Sequence, residues 1–331
     1  MNTTRDKFIK LFDVPEIAVP YLDVFVTEQD MAIVEAMDGQ GMTPQELAGK
    51  LGIAEEKAHE LMENSYLKSV LNKDEKDKGI YHAASFDEKL NYSCKFDESY
   101  RDIPKEVREK LDEWFYEKYK ASPRIEKSVK GDVDKSSNMT YLVLDELDDY
   151  LSEAKRFRLV PCDCRNLKDA CDKPRETCIR FDDNITDRTF GREITKEEAK
   201  EIIINAHKKG LMLQVNADWR ENGATGVCNC CACCCYPVRA AVEFNSKGKW
   251  PIVENVACYD ETSCTHCGRC VRRCYFGVFT FGEEEVEING KMRKKIVYDP
   301  EKCWGCGLCS TTCPTKSIIM QKLNVEGEQG H

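Results

Sequence analysis

Two matching cysteine runs near the C-terminus constrain this chain more than any other feature. The segments YDETSCTHCGRCVRRCY, from Tyr259, and YDPEKCWGCGLCSTTCP, from Tyr298, align without gaps at an offset of 39 residues. Each contains the spacing C-x2-C-x2-C-x3-C. Zinc sites favour two separate C-x2-C pairs, whereas runs of four cysteines at this spacing are typical of iron–sulfur sites. The repeat therefore favours iron–sulfur clusters over a zinc ribbon.

The two runs resemble the bacterial-type ferredoxin domain with two [4Fe-4S] clusters, over residues 258–323. In that family the fourth cysteine of each run binds the cluster of the other run. The resemblance implies one cluster on Cys264, Cys267, Cys270 and Cys313 and a second on Cys303, Cys306, Cys309 and Cys274. The chain departs from the family at one place. Pro314 follows Cys313 as the family requires, but Tyr275 follows Cys274 where a second proline is usual.

Two further features of this region carry predictions. Asn289 and Gly290 separate two alternating segments, which predicts a hairpin inserted between the halves of the domain. His266 lies inside the first cysteine loop, and we expect it to tune a cluster by hydrogen bonding and not to ligate iron.

Ten more cysteines lie upstream of the repeat, in two groups. The first group is Cys162, Cys164, Cys171 and Cys178, and the second is Cys228, Cys230, Cys231, Cys233, Cys234 and Cys235. The N-terminus lacks signal-peptide features and no apolar run approaches the ~20 residues that span a bilayer. We therefore expect a cytoplasmic chain whose thiols stay reduced and bind metal.

The ten thiols leave several arrangements open. They would suffice for two cubanes with two thiols left over, for one cluster that borrows from both groups, or for a non-cubane cluster. We expect at least one further [4Fe-4S] cluster, then a zinc site, then redox-active free thiols, with a purely structural role last. The line C-x-C-R followed by a cysteine-packed run resembles a module of ferredoxin-containing proteins of anaerobic microbes.

The segment between the two cysteine groups predicts regular structure. Thr195 followed by Glu198 marks a helix start, apolar residues at 199, 202, 203 and 206 mark its buried face, and Gly210 ends it. The line LMLQV that follows predicts a strand. We interpret residues 158–257 as a cysteine-rich α/β module.

The first hundred residues resemble a winged helix-turn-helix domain. Helices are predicted from Thr27, from Thr43 with Pro44 and Glu46 as cap, N1 proline and capping box, and across IAEEKAHELMENSYL. The segment SVLNKDEKDKGIYHAASF then predicts a two-stranded wing. Residues 1–100 hold 11 Lys or Arg against 20 Asp or Glu, a balance of −9, and the third helix carries four glutamates. A nucleic-acid reader needs cations there, so we expect protein docking or dimerisation.

The predicted organisation has five parts and an α+β, multidomain fold. They are a winged-helix-like domain (1–100), a helical connector (101–157), the cysteine-rich module (158–257), a ferredoxin-like dicluster domain (258–323) and a tail (324–331). In the connector, an apolar stripe at 142, 144, 147, 150 and 151 predicts a helix across MTYLVLDELDDYLSEAKRF.

Three functions fit these features. The first is an iron–sulfur electron-transfer protein that serves a redox protein partner or an oxidoreductase, docked through the N-terminal domain. The second is an iron–sulfur reductase with its catalytic site in the middle module. The third is a redox-sensing winged-helix regulator, which the acidic third helix disfavours. The net charge of −10 also disfavours nucleic acid and anionic membrane as partners.

Overall fold

The computed structural model describes residues 4–188 and 190–323, and within them the chain forms two compact units of mixed helix and sheet. The first unit runs through Lys118 and includes Asn166–Asp169 and Asp187–Phe190. The second unit is built from the rest of the chain after Lys118. The predicted tail, 324–331, lies outside the described residues. No helix in the described parts has the length and apolar character needed to cross a membrane.

The first unit is mainly helical. Its helices are α1 (Thr4–Leu11), α2 (Leu22–Phe25), α3 (Glu28–Met37), α4 (Pro44–Leu51), α5 (Glu55–Leu67), α6 (Phe86–Phe96) and α7 (Lys105–Lys120, which ends beyond it), and its strands are β1 (Leu71–Lys73) and β2 (Tyr81–Ala83). Two 3-10 helices, Glu16–Tyr21 and Glu98–Asp102, complete it.

The helix starts that the sequence predicts in this unit are observed. Thr27 and Thr43 cap α3 and α4, and each forms a capping box with the acidic residue three positions on. Gly52 ends α4 in the left-handed conformation, with φ of 68°. Strands β1 and β2 pair antiparallel directly after α5. The three helices and the hairpin therefore lie where their sequence signals place them.

The second unit contains more sheet. Its helices are α8 (Pro123–Lys130), α9 (Leu147–Ser152), α10 (Asp163–Lys168, which ends in the first unit), α11 (Lys196–Lys208), α12 (Trp219–Asn222), α13 (Tyr236–Glu243), α14 (Arg269–Arg273) and α15 (Leu308–Thr312). Its strands are β3 (Met139–Leu142), β4 (Phe157–Pro161), β5 (Glu176–Phe181), β6 (Arg192–Ile194), β7 (Met212–Asn216), β8 (Gly226–Cys230), β9 (Asn255–Tyr259), β10 (Phe279–Ile288), β11 (Lys291–Tyr298) and β12 (Ile318–Lys322). Four 3-10 helices are also present: Lys135–Ser137, Leu144–Glu146, Asp182–Asn184 and Pro300–Lys302.

A six-stranded sheet organises the middle of the chain, in the order β3-β7-β8-β5-β4-β6. Every strand pairing in it is antiparallel. The prediction of an α/β module is therefore wrong in one respect, because such modules are built on parallel strands. Helix α11 and strand β7 lie where the sequence predicts them, and Thr195 accepts the capping hydrogen bond from the Glu198 amide.

The predicted helix across MTYLVLDELDDYLSEAKRF is wrong over its first part. Met139–Leu142 forms the edge strand β3, paired with β7, and all four of its residues are buried. Only Leu147–Ser152 is α-helical, after a 3-10 turn at Leu144–Glu146. A continuous apolar run suits a strand covered on both faces as well as a buried helix, and pairing with β7 decides between them.

The C-terminal region repeats its structure as it repeats its sequence. Helices α14 and α15 start directly after Gly268 and Gly307, which both adopt left-handed conformations with φ of 69° and 71°. Strand β9 pairs with β12, and β10 pairs with β11 through the predicted Asn289-Gly290 turn. Both turn residues have positive φ, 51° and 71°, as a type I′ hairpin requires.

Candidate metal centres

The first predicted ligand set of the dicluster domain surrounds one cavity. Cys264, Cys267, Cys270 and Cys313 all line a cavity of about 300 Å³ that Tyr259 and Ile296 also border. Burial raises the pKa of the Cys270 thiol to about 11, and the charges of Cys264 and Cys267 act in the same direction. Because metal binding requires the thiolate form, such a set binds a cation by releasing protons.

The second predicted ligand set also lies together. Burial raises the pKa of the Cys306 thiol to about 12, and Cys274 and Cys303 are its charged neighbours. The same three thiols and burial raise the pKa of Cys309. Two backbone amides, those of Ala257 and Gly305, donate to the Cys303 sulfur at 3.4 Å each. Amide hydrogen bonds to a ligating sulfur are one of the factors that set a cluster potential.

His266 contacts its surroundings differently from the sequence expectation. Its ring accepts a 3.0 Å hydrogen bond at Nδ1 from the Ile296 amide, so the side chain anchors the cysteine loop to β11. Its backbone N–H donates to the Cys264 sulfur at 3.3 Å. The residue therefore reaches a cluster ligand through its backbone, whereas its imidazole has a structural partner.

The ten upstream cysteines separate into a set of four and a set of six. The first set, here the four-thiol group, is Cys171, Cys231, Cys233 and Cys234. All four sulfurs lie within 4.8 Å of one another. The Cys171 sulfur is 3.9 Å from that of Cys231 and 3.7 Å from that of Cys234, and Cys233 and Cys234 are 3.8 Å apart. Cys231 and Cys234 are fully buried and Cys233 is exposed.

The remaining six thiols line a second cavity of about 480 Å³, here the six-thiol pocket. Its cysteines are Cys162, Cys164, Cys178, Cys228, Cys230 and Cys235. Each of these side chains interacts with the next along one continuous series, which runs Cys228, Cys178, Cys162, Cys164, Cys235 and Cys230. In the last pair of this series, the Cys235 and Cys230 sulfurs are 3.2 Å apart. Burial and neighbouring thiolates raise the pKa of Cys230 to about 12.

Strand alternation places three of these thiols, Cys178, Cys228 and Cys230, on one face of the six-stranded sheet. Successive side chains of a strand point to opposite faces. One face carries the apolar core, which includes Leu159, Ile179, Leu213, Val215 and Val227. The intervening residues line the six-thiol pocket, and they are Val160, Cys178, Gln214, Cys228 and Cys230. The sheet thus has an apolar face and a thiol face. The alternation of apolar residues with cysteine or polar residues in ETCIRF, LMLQV and GVCNC is the sequence signal that indicates these two faces.

Cys171 joins cysteines that are far from it in sequence. The sequence groups it with Cys162, Cys164 and Cys178, yet its sulfur contacts Cys231 and Cys234, which lie 60 and 63 residues further along. Pairing of β5 with β8 brings the two cysteine-rich segments together. The partition into four and six is therefore a tertiary property.

Arg165 lies between the two thiol sets and is 1% exposed. It donates to the Pro174 and Asn229 carbonyl oxygens at 2.8 and 2.7 Å, and to the Thr177 hydroxyl. Its Nη1 is 4.0 Å from the Cys231 sulfur. Burial alone would lower the pKa of this guanidinium, but the Cys162, Cys178 and Cys231 thiolates raise it above its ordinary value. Arg165 is therefore a permanent buried cation that offsets thiolate charge.

Two tyrosines link the thiol sets to the dicluster domain. The Lys173 ammonium lies 5.7 Å from the centroid of the Tyr275 ring. Burial raises the pKa of Tyr275 most, and the Cys231 and Cys233 charges act in the same direction. Tyr141, on β3, is 2% exposed, and its hydroxyl has no hydrogen-bond partner among the described residues. Burial raises its pKa most, followed by charges on Cys230, Cys235 and Cys306.

The end of α11 provides a further contact with the dicluster domain. Arg273 donates to the backbone carbonyl oxygens of His207 and Lys208, and so caps the helix. The His207 ring lies 3.0 Å from the Thr311 hydroxyl through Nε2. Burial and the Arg273 charge lower the pKa of His207 to about 4. His207 is therefore neutral at ordinary pH.

Comparison with known proteins supports the dicluster domain. Residues 263–317 match the model of the 4Fe-4S dicluster domain family. Proteins named "Putative formate dehydrogenase" in Staphylococcus aureus strains USA300, NCTC 8325 and COL are each 29% identical over 86 residues. That match covers 22% of this chain and 8% of each relative. No solved structure matches the chain. The comparisons support iron–sulfur clusters and give no support to zinc.

Proposed function

We propose that this protein is an iron–sulfur electron carrier with two [4Fe-4S] clusters in residues 258–323 and a further cluster in the six-thiol pocket. The observation that carries the proposal is the placement of eighteen cysteines in one compact unit, where every one of them borders a cavity or a thiol set. Bound iron–sulfur clusters supply one-electron chemistry at low potential.

The residues present fit such clusters. Cys264, Cys267, Cys270 and Cys313 would hold one cubane, and Cys274, Cys303, Cys306 and Cys309 the other. The six-thiol pocket presents six cysteine thiols, with Gln214 and Asp163 beside them, and Arg165 and Arg180 border it as cations. Cations beside the pocket offset the negative charge that a thiolate-bound cluster carries.

The proximity of the six-thiol pocket to the second cubane set supports transfer of electrons between them. Tyr141 lies within electrostatic reach of Cys230, Cys235 and Cys306. Its unpartnered buried hydroxyl is suited to donate a hydrogen bond to a ligating sulfur, since buried polar groups otherwise incur a desolvation cost.

Metal analysis of protein purified without oxygen tests the proposal. Cys178→Ser and Cys228→Ser should each lower iron and acid-labile sulfide together, while the EPR signals of the two reduced cubanes persist. Cys94→Ser, which removes a buried cysteine of the first unit, is the matched control and should change neither. Unchanged iron and sulfide in both pocket variants would contradict a cluster at this position.

A reductase with its catalytic site in the same pocket is the second candidate. The pocket is larger than the cavity of the first cubane set, about 480 against 300 Å³, and Asp163, Arg180 and Gln214 also line it. A catalytic cluster has an open coordination position for a substrate. Addition of cyanide or carbon monoxide to the reduced protein should then alter the EPR signal that Cys178→Ser abolishes, whereas a pure electron carrier would show no change.

The relatives suggest a context for the carrier. A formate dehydrogenase passes electrons from formate to a carrier, and only 8% of each named relative matches this chain. We propose that the shared part is an electron-carrying part and that formate oxidation itself is absent from this chain. Purified protein should therefore give no formate-dependent dye reduction on its own.

For the N-terminal unit we propose a winged-helix-like domain used for protein docking or dimerisation. Glu55, Glu56 and Glu60 on α5 are exposed, and they repel nucleic acid. Sedimentation should show a dimer or a complex with the redox partner through this unit. A gel shift with genomic fragments at low salt would instead favour the redox-sensing regulator.

A further inference from the structure

The four-thiol group is more compact than the cubane sets of the same chain. Three of its sulfur separations are 3.7, 3.8 and 3.9 Å, and all six separations are within 4.8 Å. Among the described residues it is the only group of three or more candidate ligands that is this compact. The eight cysteines of the dicluster domain do not form such a group, although their spacing is that of cubane ligands.

These separations match one metal ion and not a cubane. A tetrahedral ion with metal–sulfur bonds of about 2.3 Å holds its four sulfurs about 3.8 Å apart. A cubane binds its four thiolates to four different iron atoms, and therefore spreads them further apart. The dicluster cysteines serve as an internal comparison, because they are spread further apart in the same structure.

We propose that Cys171, Cys231, Cys233 and Cys234 bind a single tetrahedral iron ion without inorganic sulfide. The site is separate from the six-thiol pocket, and the proposal does not depend on a cluster being present there. With this assignment, four of the ten upstream thiols bind one metal ion, and the other six line the pocket proposed for a polynuclear cluster.

The four-thiol group has two cationic side chains beside it, as suits a metal ion bound by four thiolates that gains and loses one electron. Four thiolates around a divalent ion carry a net charge of about −2. The Arg165 guanidinium, 4.0 Å from the Cys231 sulfur, and the Lys173 ammonium offset this charge. Lys173 also contacts Tyr275, the residue that follows Cys274 of the second cubane set. Tetrahedral sulfur sites suit zinc or iron. The choice of iron rests on the proposed electron-carrier function, because only iron exchanges electrons with a neighbouring cluster.

The wild-type protein provides the first test. Protein purified without oxygen from cells grown on isotopically enriched iron should show, by Mössbauer spectroscopy, one ferrous tetrathiolate component beside the cluster components. Mild oxidation should produce the high-spin ferric EPR signal typical of a mononuclear site. Absence of that component, or about one zinc per chain in its place, would overturn the assignment.

Variants locate the ion. Cys233→Ser, at an exposed position, and Cys171→Ser should each remove the mononuclear signal and about one iron per chain, with acid-labile sulfide unchanged. Cys258→Ser, outside every predicted ligand set, is the control and should retain the signal. Loss of about four irons together with sulfide would show a cubane at this position and contradict the proposal.

These results remain separable from the test of the pocket cluster. Cys178→Ser should lower iron and sulfide together and leave the mononuclear signal in place. A variant of the four-thiol group should lose the mononuclear signal and leave acid-labile sulfide and the pocket-cluster signal unchanged. Loss of both signals in both kinds of variant would favour one shared cluster that takes ligands from both thiol sets, which contradicts the single-ion site.

Discussion

The Tyr275 hydroxyl donates a 2.7 Å hydrogen bond to the backbone carbonyl oxygen of Gly210. Tyr275 follows Cys274, in the place where bacterial-type ferredoxins usually have proline, and Gly210 lies in the turn between α11 and β7 with φ of 87°. A proline has no group that can make this bond. The one departure from the ferredoxin pattern therefore joins the dicluster domain to the six-stranded sheet.

Removal of this hydroxyl should loosen the dicluster domain. Tyr275→Phe retains the ring but loses the hydroxyl's bond to Gly210 and its contact with the Lys173 ammonium, and should cost about 1 kcal/mol of unfolding free energy. Tyr275→Pro also loses the ring contact and should cost more. Denaturant midpoints measured without oxygen, with wild type in parallel, check both. Equal midpoints for all three proteins would mean that the contact contributes nothing to stability.

Arg165 should be required for both thiol sets. Arg165→Met leaves the Pro174 and Asn229 carbonyl oxygens without their donor and the buried thiolates without a cation, and should cost about 3 kcal/mol. Arg165→Lys should rescue little, because one ammonium cannot reproduce the planar fork of a guanidinium.

The control for Arg165 is Arg156→Met, which removes an exposed arginine paired with Glu193. A surface pair of this kind contributes little, so stability and iron content should stay close to wild type. If Arg165→Met behaves like Arg156→Met, the buried cation has no role in stabilising the thiol sets.

His207 should make the second unit sensitive to mild acid. Its pKa is about 4 in the folded chain and about 6.5 in an unfolded one. Above pH 6.5 both states are neutral and stability is highest. Between about pH 6.5 and 4 the unfolded state binds the proton while the folded state does not, so stability falls, by about 3 kcal/mol in full.

The variant that isolates this effect is His207→Gln, whose amide can still reach the Thr311 hydroxyl. The difference in unfolding free energy between wild type and His207→Gln should change over that pH window. A difference independent of pH would exclude His207 as the titrating group.

Iron removal should unfold the chain locally. The core of the six-stranded sheet consists of sixteen buried residues without a cysteine, whereas three of the eight core residues of the dicluster domain are cysteines. After anaerobic chelation, amide exchange should become fast in β9–β12 and stay slow in β4, β5, β7 and β8, because a domain with so few apolar residues depends on its metal. Continued protection of β9–β12 would contradict this.

Local signals in the sequence are sufficient for the elements that neighbours in sequence stabilise. The capped starts at Thr27, Thr43 and Thr195 are observed, as is the Asn289-Gly290 turn. Caps and tight turns are formed by side chains and backbone a few residues apart, so the sequence holds all the information they need. The run at Met139–Leu142 had no such signal, and its pairing with β7 made it a strand.

The sequence by itself determined the 4Fe-4S dicluster domain near the C-terminus, because cysteine spacing within a loop sets which thiols can reach one cluster. It did not determine how Cys171 and the run from Cys228 to Cys235 divide into two sites. Only the tertiary structure decided that, since pairing of β5 with β8 brings the two cysteine-rich segments together, and strand alternation turns Cys178, Cys228 and Cys230 toward the six-thiol pocket.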